Sequence, residues 1–299
     1  MIADIAGAVV LAFLAAASRG ATQGIDQGTV SGTAPVNGTR LAYEVRGEGK
    51  TIVLIHGGLV DRRMWDDQFE VFSRTYRVVR YDIRGYADSD KASAPFSPVE
   101  DLRRLLEFLG IPKAVVIGLS LGGQIAIDFA LEHPDMVEAL IPVSSAVSGF
   151  PFKIPADLEA GYEAVFKADK ERGRDAAVEA LLKLSFFIPY KPDDEIRRRM
   201  IPMLRRNFEA WTAAGTGGTY IWPEPLAYGR IERIAMPTLV IVGDKDTPPI
   251  LDAGEDLARR IKGARKVVIP EAGHHLNMEQ PAAFNKAVLE FLAGLEKGI

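Results

Sequence analysis

One six-residue stretch, Gly118-Leu119-Ser120-Leu121-Gly122-Gly123, constrains the fold of this chain more than any other. An apolar run, Ala114 to Ile117, precedes it and a helical pattern, Gln124 to Ala130, follows it, so the stretch predicts a sharp turn from a buried strand into a helix. A turn this tight strains the backbone at the serine and leaves no room for side chains two positions away on either side. The sequence therefore predicts a nucleophile elbow that presents Ser120 at the start of a helix.

The elbow also predicts where negative charge would be stabilised. A helix N-terminus favours negative charge, and the amide of Leu121 would point at an oxyanion that develops on a carbonyl attacked by the serine. A second apolar run, Thr51 to Ile55, ends in His56 and two glycines, where a ligand can approach the backbone closely. We therefore expect the Gly58 amide to be the second oxyanion donor, and His56 to brace this loop by hydrogen bonds.

Two later strand ends supply a carboxylate and a histidine. The run Thr238 to Val242 is followed by Asp244 and Asp246, and the run Lys266 to Ile269 is followed by the pair His274-His275. A carboxylate at a strand end can accept a histidine N–H and stabilise the imidazolium that forms when a serine loses its proton. Asp246 lies deeper in its loop and is the preferred acid, with Asp244 as the alternative that would otherwise bind turn amides.

These residues together resemble the α/β-hydrolase superfamily, and the resemblance extends from about Val36 to the C-terminus. It places the base at His274 rather than His275, and the acid at Asp246. The one departure is Ala87, where the family usually has glycine. The motifs that carry the resemblance are the oxyanion loop at His56-Gly57, the D-x-R-G-x-G-x-S turn at Asp82 to Ser89, the elbow at Gly118 to Gly122, and the histidine loop at Gly273-His274 with Glu279 and Pro281.

The resemblance implies an α/β fold with a mostly parallel central sheet flanked by helices. The core domain is expected over residues 36–146 and 235–299. A helical insertion over residues 147–234, before the penultimate core strand, is expected to cap the site and restrict the substrate. Its aromatic residues are expected to form the core of the insertion rather than contact the substrate; they include Phe186, Phe187, Tyr190, Trp211, Tyr220 and Trp222.

The chemistry implied by the resemblance is acyl transfer through a covalent intermediate on Ser120, with His274 as base and Asp246 as its partner. We expect a carboxylic ester hydrolase for small or medium apolar substrates that requires no metal and no organic cofactor. A C–C bond hydrolase or lactonase of aromatic degradation and a cofactor-free perhydrolase are alternatives, and a non-catalytic ligand receptor is a remote one. Because the base must be neutral, activity is expected to rise through a pH of about 6.5.

Charge and composition narrow the partners and the compartment. The net charge of −4 offers no basic face for nucleic acid or an anionic membrane, and the absence of cysteine excludes disulfides and thiolate chemistry. Residues 1–35 are expected to form a signal or anchor segment, over Ile5 to Ala17, and a flexible linker. The residues before this apolar run include Asp4 but no lysine or arginine, which a signal peptide usually has there. We therefore expect two locations equally: export or transient membrane contact through the apolar run, and the cytoplasm. The sequence predicts no oligomeric state.

Overall fold

A computed structural model describes residues 28–184, 186–187, 189–190, 194–215 and 220–297. The expected signal or anchor segment and most of the linker after it lie outside the described residues. Within the described part of the chain, no helix combines the length and the apolar character that crossing a bilayer requires.

The described residues contain one eight-stranded sheet. Its strands are β1 (Val30–Val36), β2 (Thr39–Arg46), β3 (Thr51–Ile55), β4 (Arg77–Tyr81), β5 (Ala114–Leu119), β6 (Val137–Val143), β7 (Leu239–Gly243) and β8 (Arg265–Ile269). The strand order is β1-β2-β4-β3-β5-β6-β7-β8, in which β1, β2 and β4 pair antiparallel and all later neighbours pair parallel. The predicted fold class, a mostly parallel sheet in an α/β protein, is confirmed.

Helices cover both faces of the sheet. They are α1 (Asp66–Phe72), α2 (Pro98–Phe108), α3 (Leu121–Glu132), α4 (Ala156–Arg172), α5 (Arg174–Leu181), α6 (Asp194–Gly215), α7 (Pro248–Arg260), α8 (Leu276–Glu279) and α9 (Pro281–Glu296). Short 3-10 helices occupy Arg62–Trp65, Pro134–Met136, Ala227–Gly229 and Ile231–Arg233. Because α4, α5 and α6 lie between β6 and β7, the helical insertion precedes the penultimate strand, as predicted.

The central strands are buried on both sides, which explains their continuous apolar runs. All five residues of β3 are buried, and alternate residues face opposite ways. Ile52 and Leu54 pack in one hydrophobic cluster with residues of α1 and α9, whereas Val53 and Ile55 pack in another with residues of α2 and α3. The sheet therefore separates two cores and holds its strand ends in fixed positions.

The first strand corrects the predicted start of the domain. The sequence predicts a linker through residue 35, but β1 pairs antiparallel with β2, with Val30 opposite Val45 and Val36 opposite Thr39. Ala34 is fully buried, whereas Val30 is largely exposed. An edge strand is held mainly by backbone hydrogen bonds to its one neighbour, so a segment rich in Gly, Ser and Thr can form it. Composition alone does not reveal that neighbour.

Candidate active site

The turn between β5 and α3 presents Ser120 in a strained conformation. Ser120 has φ of +55° and ψ of −113°, in a region that residues other than glycine rarely adopt. Its N–H donates to the Val143 carbonyl over 2.9 Å, and its own carbonyl accepts the Gln124 N–H over 3.0 Å. Such a conformation costs on the order of 1–3 kcal/mol and persists where the surrounding structure holds it. Here β6 and the first turn of α3 hold it.

Two glycines of the elbow stand where no side chain fits. A Cβ on Gly118 would lie 2.0 Å from the Gly122 carbonyl oxygen, and a Cβ on Gly122 would lie 2.2 Å from the Ile55 carbonyl oxygen. Both obstacles are backbone atoms, which cannot rotate away. The close approach of β3, β5 and α3 at this point therefore explains the glycine spacing that the sequence shows around Ser120.

The loop after β3 carries the predicted second oxyanion donor, Gly58, and is braced by His56. The Ile83 N–H donates to His56 Nε2 over 2.9 Å, which leaves the proton on Nδ1, and Nδ1 lies 2.7 Å from the Gly57 carbonyl oxygen. Burial lowers the pKa of His56, which keeps the ring neutral. Both nitrogens are therefore occupied by the backbone, in the bracing role that the sequence predicts.

The structure brings His274 and Asp246 together at the ends of β7 and β8. His274 Nδ1 lies 3.0 Å from Asp246 Oδ2 and 3.1 Å from Oδ1, and the Thr247 N–H donates to Oδ1 over 2.6 Å. Burial alone would raise the pKa of Asp246, but the charge and hydrogen bond of His274 outweigh it and hold that pKa below its usual value. Asp246 is therefore an ionised acceptor that orients the His274 ring.

Asp244 and His275, the alternatives to Asp246 and His274, make different contacts. Asp244 accepts the Ala272 N–H over 3.2 Å and pairs with Lys245, so it binds turn amides. The pKa of His275 is lowered to about 3, first by burial and then by the charge of His274. His275 thus stays neutral, and its hydrogen bond goes to the Phe186 backbone rather than to a carboxylate.

Glu279 ties the histidine loop to the insertion, a role that its place in the sequence motif does not reveal. Its Oε2 accepts the Gly273 N–H over 3.0 Å and the Tyr190 N–H over 2.7 Å. Burial raises the pKa of Glu279, although these amides act in the opposite direction. One carboxylate therefore fixes the residue before His274 and a segment of the insertion together.

A cavity of about 330 Å³ lies between the core and the insertion and includes Ser120 and His274. None of the described residues that line it is Arg, Lys, Asp or Glu. In the described part of the chain, no group of three or more His, Asp or Glu residues is placed to hold a metal ion. The lining residues are Gly57, Gly58, Tyr86, Leu119, Ser120, Leu121, Gln124, Ala146, Tyr162, Phe186, Phe187, Trp211, Tyr220, Trp222, His274 and His275.

This lining corrects the expectation that the aromatic residues of the insertion serve only as its core. Of the six named from the sequence, all but Tyr190 line the cavity: Phe186, Phe187, Trp211, Tyr220 and Trp222. Several also pack on one another or on neighbours; the Trp211 ring, for example, stacks on Phe166 with centroids 5.6 Å apart. One set of rings therefore packs within the insertion and also forms part of the cavity wall.

The turn after β4 contains Ala87, the position at which the similar family usually has glycine. Ala87 has φ of +40°, a conformation in which glycine would be unstrained. Two residues of α6 hold it: Asn207 Oδ1 accepts the Ala87 N–H over 2.8 Å, and Arg206 Nη2 donates to the Ala87 carbonyl over 2.9 Å. Asn207 also donates to buried Asp61 over 3.1 Å. No local pattern in the sequence distinguishes Asn207, because its partners are more than a hundred residues away.

Comparison with known proteins yields one family and several chemistries. The model of the alpha/beta hydrolase family matches residues 52–287. A 2-hydroxy-6-oxononadienedioate/2-hydroxy-6-oxononatrienedioate hydrolase of Paraburkholderia phymatum is 29% identical over 269 residues, which cover 85% of this chain and 91% of that protein. A pimeloyl-[acyl-carrier protein] methyl ester esterase of Neisseria meningitidis is 29% identical over 263 residues, covering 82% of this chain and 94% of that protein.

A solved structure adds a third chemistry. The enol-lactonase from Burkholderia xenovorans is similar to this chain with a TM-score of 0.71 and 29% sequence identity. The similarity covers 88% of this chain and all of that one. Proteins named for cleavage of a lactone, an ester and an oxo-dienoate thus share this fold at nearly the same sequence identity. Overall similarity does not decide between them, so the choice depends on the cavity.

Proposed function

Because the chain belongs to the alpha/beta hydrolase family, we propose that it is a serine hydrolase that cleaves carboxylic esters of small or medium apolar substrates. The observation that carries this proposal is the arrangement of three side chains in and beside the cavity. Ser120, in a strained turn at a helix N-terminus, shares an apolar cavity with His274, whose Nδ1 is bound to the buried carboxylate of Asp246.

In the proposed reaction, Ser120 Oγ attacks the ester carbonyl carbon while His274 Nε2 accepts the serine proton. Collapse of the tetrahedral intermediate breaks the bond to the alcohol, which leaves with the proton that His274 delivers. Water then attacks the acyl-enzyme in the same way and releases the acid. Asp246 stays ionised throughout and stabilises the imidazolium that forms on His274.

The Gly58 and Leu121 amides are the proposed oxyanion donors. Leu121 is the first residue of α3, so its N–H precedes the first hydrogen bond within the helix, which Gln124 donates to Ser120. Both residues line the cavity beside Ser120. Loss of one donor of this kind typically raises the barrier by about 3 kcal/mol.

The lining of the cavity supports a neutral substrate. Its walls are mainly aromatic and aliphatic, and no cationic side chain among the described residues lines it. A carboxylate bound deep inside would lose its hydration without gaining a counter-charge, which is unfavourable. An uncharged ester fits this environment better than a dianionic substrate does.

A second candidate, lactone or C–C bond hydrolysis, is supported by the names of the similar proteins. The enol-lactonase and the oxononadienedioate hydrolase are each 29% identical to this chain. A lactone is an uncharged cyclic ester and suits the same cavity. A dienedioate carries two carboxylates, for which this cavity supplies no cation among its described lining residues.

The test compares turnover of p-nitrophenyl esters, from acetyl to long acyl chains, by the parent and Ser120→Ala. We expect the parent to hydrolyse the series with an optimum at short or medium chains, and the variant to lose activity by at least about 10³-fold. Ser97→Ala, which removes the N-cap hydroxyl of α2 outside the cavity, is the matched control. A fluorophosphonate label should add mass to the parent and to Ser97→Ala but not to Ser120→Ala.

Two results would count against ester hydrolysis. If a well-folded parent turns over an enol-lactone or a cleavable diketone but no linear ester, the second candidate takes its place. If Ser120→Ala hydrolyses esters as fast as Ser97→Ala does, Ser120 is not the nucleophile.

A further inference from the structure

Two tyrosine hydroxyls meet in the wall of the catalytic cavity, and the proposed reaction uses neither. Tyr86 comes from the turn after β4 and Tyr220 from the insertion, and both line the cavity with Ser120. Their hydroxyl oxygens are 3.3 Å apart. Tyr86 is almost fully buried, whereas Tyr220 is partly exposed. The pair therefore places two polar atoms side by side in a largely aromatic wall.

The two hydroxyls of this pair carry two protons but form only one hydrogen bond with each other. Burial raises the pKa of Tyr86 to about 12 and that of Tyr220 well above its usual value, so each hydroxyl keeps its proton at neutral pH. The hydrogen bond between them uses one proton of the two. Among the described residues, neither hydroxyl donates to any further acceptor. One O–H proton remains for an acceptor inside the cavity.

The backbone around Tyr86 indicates which hydroxyl keeps that proton. The Leu59 backbone N–H faces the Tyr86 oxygen and acts on it as a hydrogen-bond donor. A hydroxyl that accepts such a bond is a better donor, because hydrogen bonds in a chain polarise one another. Tyr220 donates to the same oxygen over 3.3 Å, so Tyr86 accepts from both Leu59 and Tyr220 and keeps its own proton for an acceptor in the cavity.

Both rings are held in place before any ligand binds. Next to Tyr220, the Ile221 N–H donates to the Phe96 carbonyl over 2.7 Å, and the Tyr220 ring meets the Phe96 ring edge-on at 5.4 Å. The Tyr86 ring meets the His56 ring edge-on at 5.1 Å. A donor fixed in this way binds an acceptor without losing much conformational entropy.

We propose that the Tyr86–Tyr220 pair is a substrate-binding subsite in which Tyr86 donates a hydrogen bond to an uncharged oxygen of the substrate, outside the reacting carbonyl. A keto, ether or hydroxyl oxygen would serve. The inference rests on the proposed ester hydrolysis and narrows its substrates to oxygenated esters or lactones. Tyr220 is a positioning residue that acts through Tyr86.

The surroundings favour an uncharged oxygen over a carboxylate. The catalytic cavity has no cation among its described lining residues. Tyr220 also borders a second cavity of about 450 Å³, which is rich in cationic side chains. Each of those is already paired with a carboxylate of this chain; they are Arg84, Lys91, Arg174, Arg205 and Arg206. Neither cavity therefore offers an unpaired positive charge to a buried anion.

The test uses matched ester pairs in which a keto group or an ether oxygen replaces one methylene at successive positions of the acyl or alcohol chain. The readout is the ratio of kcat/KM for the oxygenated ester to that for its hydrocarbon analogue. In the parent we expect a preference of about tenfold at one position, since a site with an unpaired donor discriminates against a partner that lacks an acceptor. Tyr86→Phe should bring the ratio to about one, and Tyr220→Phe should lower it partly. Tyr43→Phe, which alters a tyrosine outside both cavities, should keep the parent ratio.

The possible results separate this inference from the proposed function. A ratio near one at every position in the parent, or a parent ratio that survives Tyr86→Phe, overturns the subsite while hydrolysis of the hydrocarbon esters upholds the esterase. No turnover of any ester overturns both. A preference for carboxylate-tailed esters that Tyr86→Phe abolishes overturns the uncharged class. Melting temperatures show whether each variant folds. If Tyr86→Phe does not fold, Tyr220→Phe decides the question, because a parent ratio that it leaves unchanged overturns the subsite.

Discussion

The cavity has two walls that are built differently. The core wall holds its polar side chains by backbone geometry and hydrogen bonds, as at the strained Ser120 and at His274, 3.0 Å from Asp246. The insertion wall is held largely by contacts between rings, such as Phe186 edge-on to His274 with centroids 4.7 Å apart. A change in the core wall should therefore affect all substrates alike, whereas a change in the insertion wall should alter their relative rates.

Buried polar contacts join the two walls. Under α3, Ser148 Oγ donates to Asp128 over 3.0 Å and accepts the Ala227 N–H over 2.9 Å. Ser148 follows β6 and Ala227 precedes β7, so these two hydrogen bonds tie both ends of the insertion to α3, the helix that follows Ser120. Asn207 forms another junction, at the turn that contains Ala87.

The largest expected effect is on the core wall, in Asp246→Asn. An asparagine cannot stabilise the imidazolium and favours the wrong tautomer of His274, so kcat should fall by about 10⁴-fold. The loss should be similar for every ester in a chain-length series. The matched control, Asp244→Asn, changes a carboxylate that binds a turn amide and should keep most of the activity. Equal losses in the two variants would contradict the assignment of the acid.

The junction under α3 gives the next largest effect, on stability. Burial raises the pKa of Asp128 from 3.8 to about 7. The folded protein therefore binds more protons than the unfolded one between about pH 4 and pH 7, and the free energy of unfolding falls as pH rises through that window. Asp128→Asn removes this ionisation, so relative to the parent it should gain stability above pH 7, on the order of a few kcal/mol, and little at pH 4.

Urea unfolding of parent and variant at a series of pH values measures this difference. Asp135→Asn, at an exposed aspartate just beyond the same helix, is the control and should leave the pH dependence as in the parent. A constant difference between Asp128→Asn and the parent from pH 4 to pH 8 would show that Asp128 does not titrate in this range.

The elbow and the Asp246–His274 pair show which parts of the candidate site a sequence can reveal. The elbow was predictable because the turn itself demands small residues, and the structure shows backbone oxygens where Cβ atoms of Gly118 and Gly122 would lie. Asp246 and His274 were predictable because they follow apolar strands whose ends meet at one edge of a parallel sheet. In each case the constraint is local, so it leaves a pattern in neighbouring residues.

Contacts between distant segments left no such pattern. The strand β1 depends on its pairing with β2, and its own residues read as a linker. The role of Asn207 depends on Asp61 and Ala87, which lie far away in the chain. The sequence places the aromatic residues of the insertion in its core, but Tyr190 is exposed and the other five line the cavity. A ring that packs only on its neighbours and a ring that lines a cavity leave the same pattern in the sequence.

On the insertion wall, Phe186→Leu should change substrate preference rather than the chemistry. A smaller side chain beside His274 enlarges the cavity, so the ratio of kcat/KM for long to short acyl chains should rise by about tenfold. Phe166→Leu is the matched control, because Phe166 stacks on Trp211 but lies outside the cavity lining. An equal loss of activity for every chain length in Phe186→Leu would instead assign Phe186 to the positioning of His274.

The smallest expected effect lies at the junction near Ala87, which α6 holds at φ of +40°. Ala87→Gly relieves the strain of a left-handed alanine but increases the conformational entropy of the unfolded chain, and these effects nearly cancel. We expect a net gain in the free energy of unfolding of about 0.5 kcal/mol. Ala92→Gly, in the same loop but without a positive φ, brings only the entropic cost and should lose about that amount. Equal destabilisation in the two variants, measured by urea unfolding, would show that the hydrogen bonds from Asn207 and Arg206 hold Ala87 without strain.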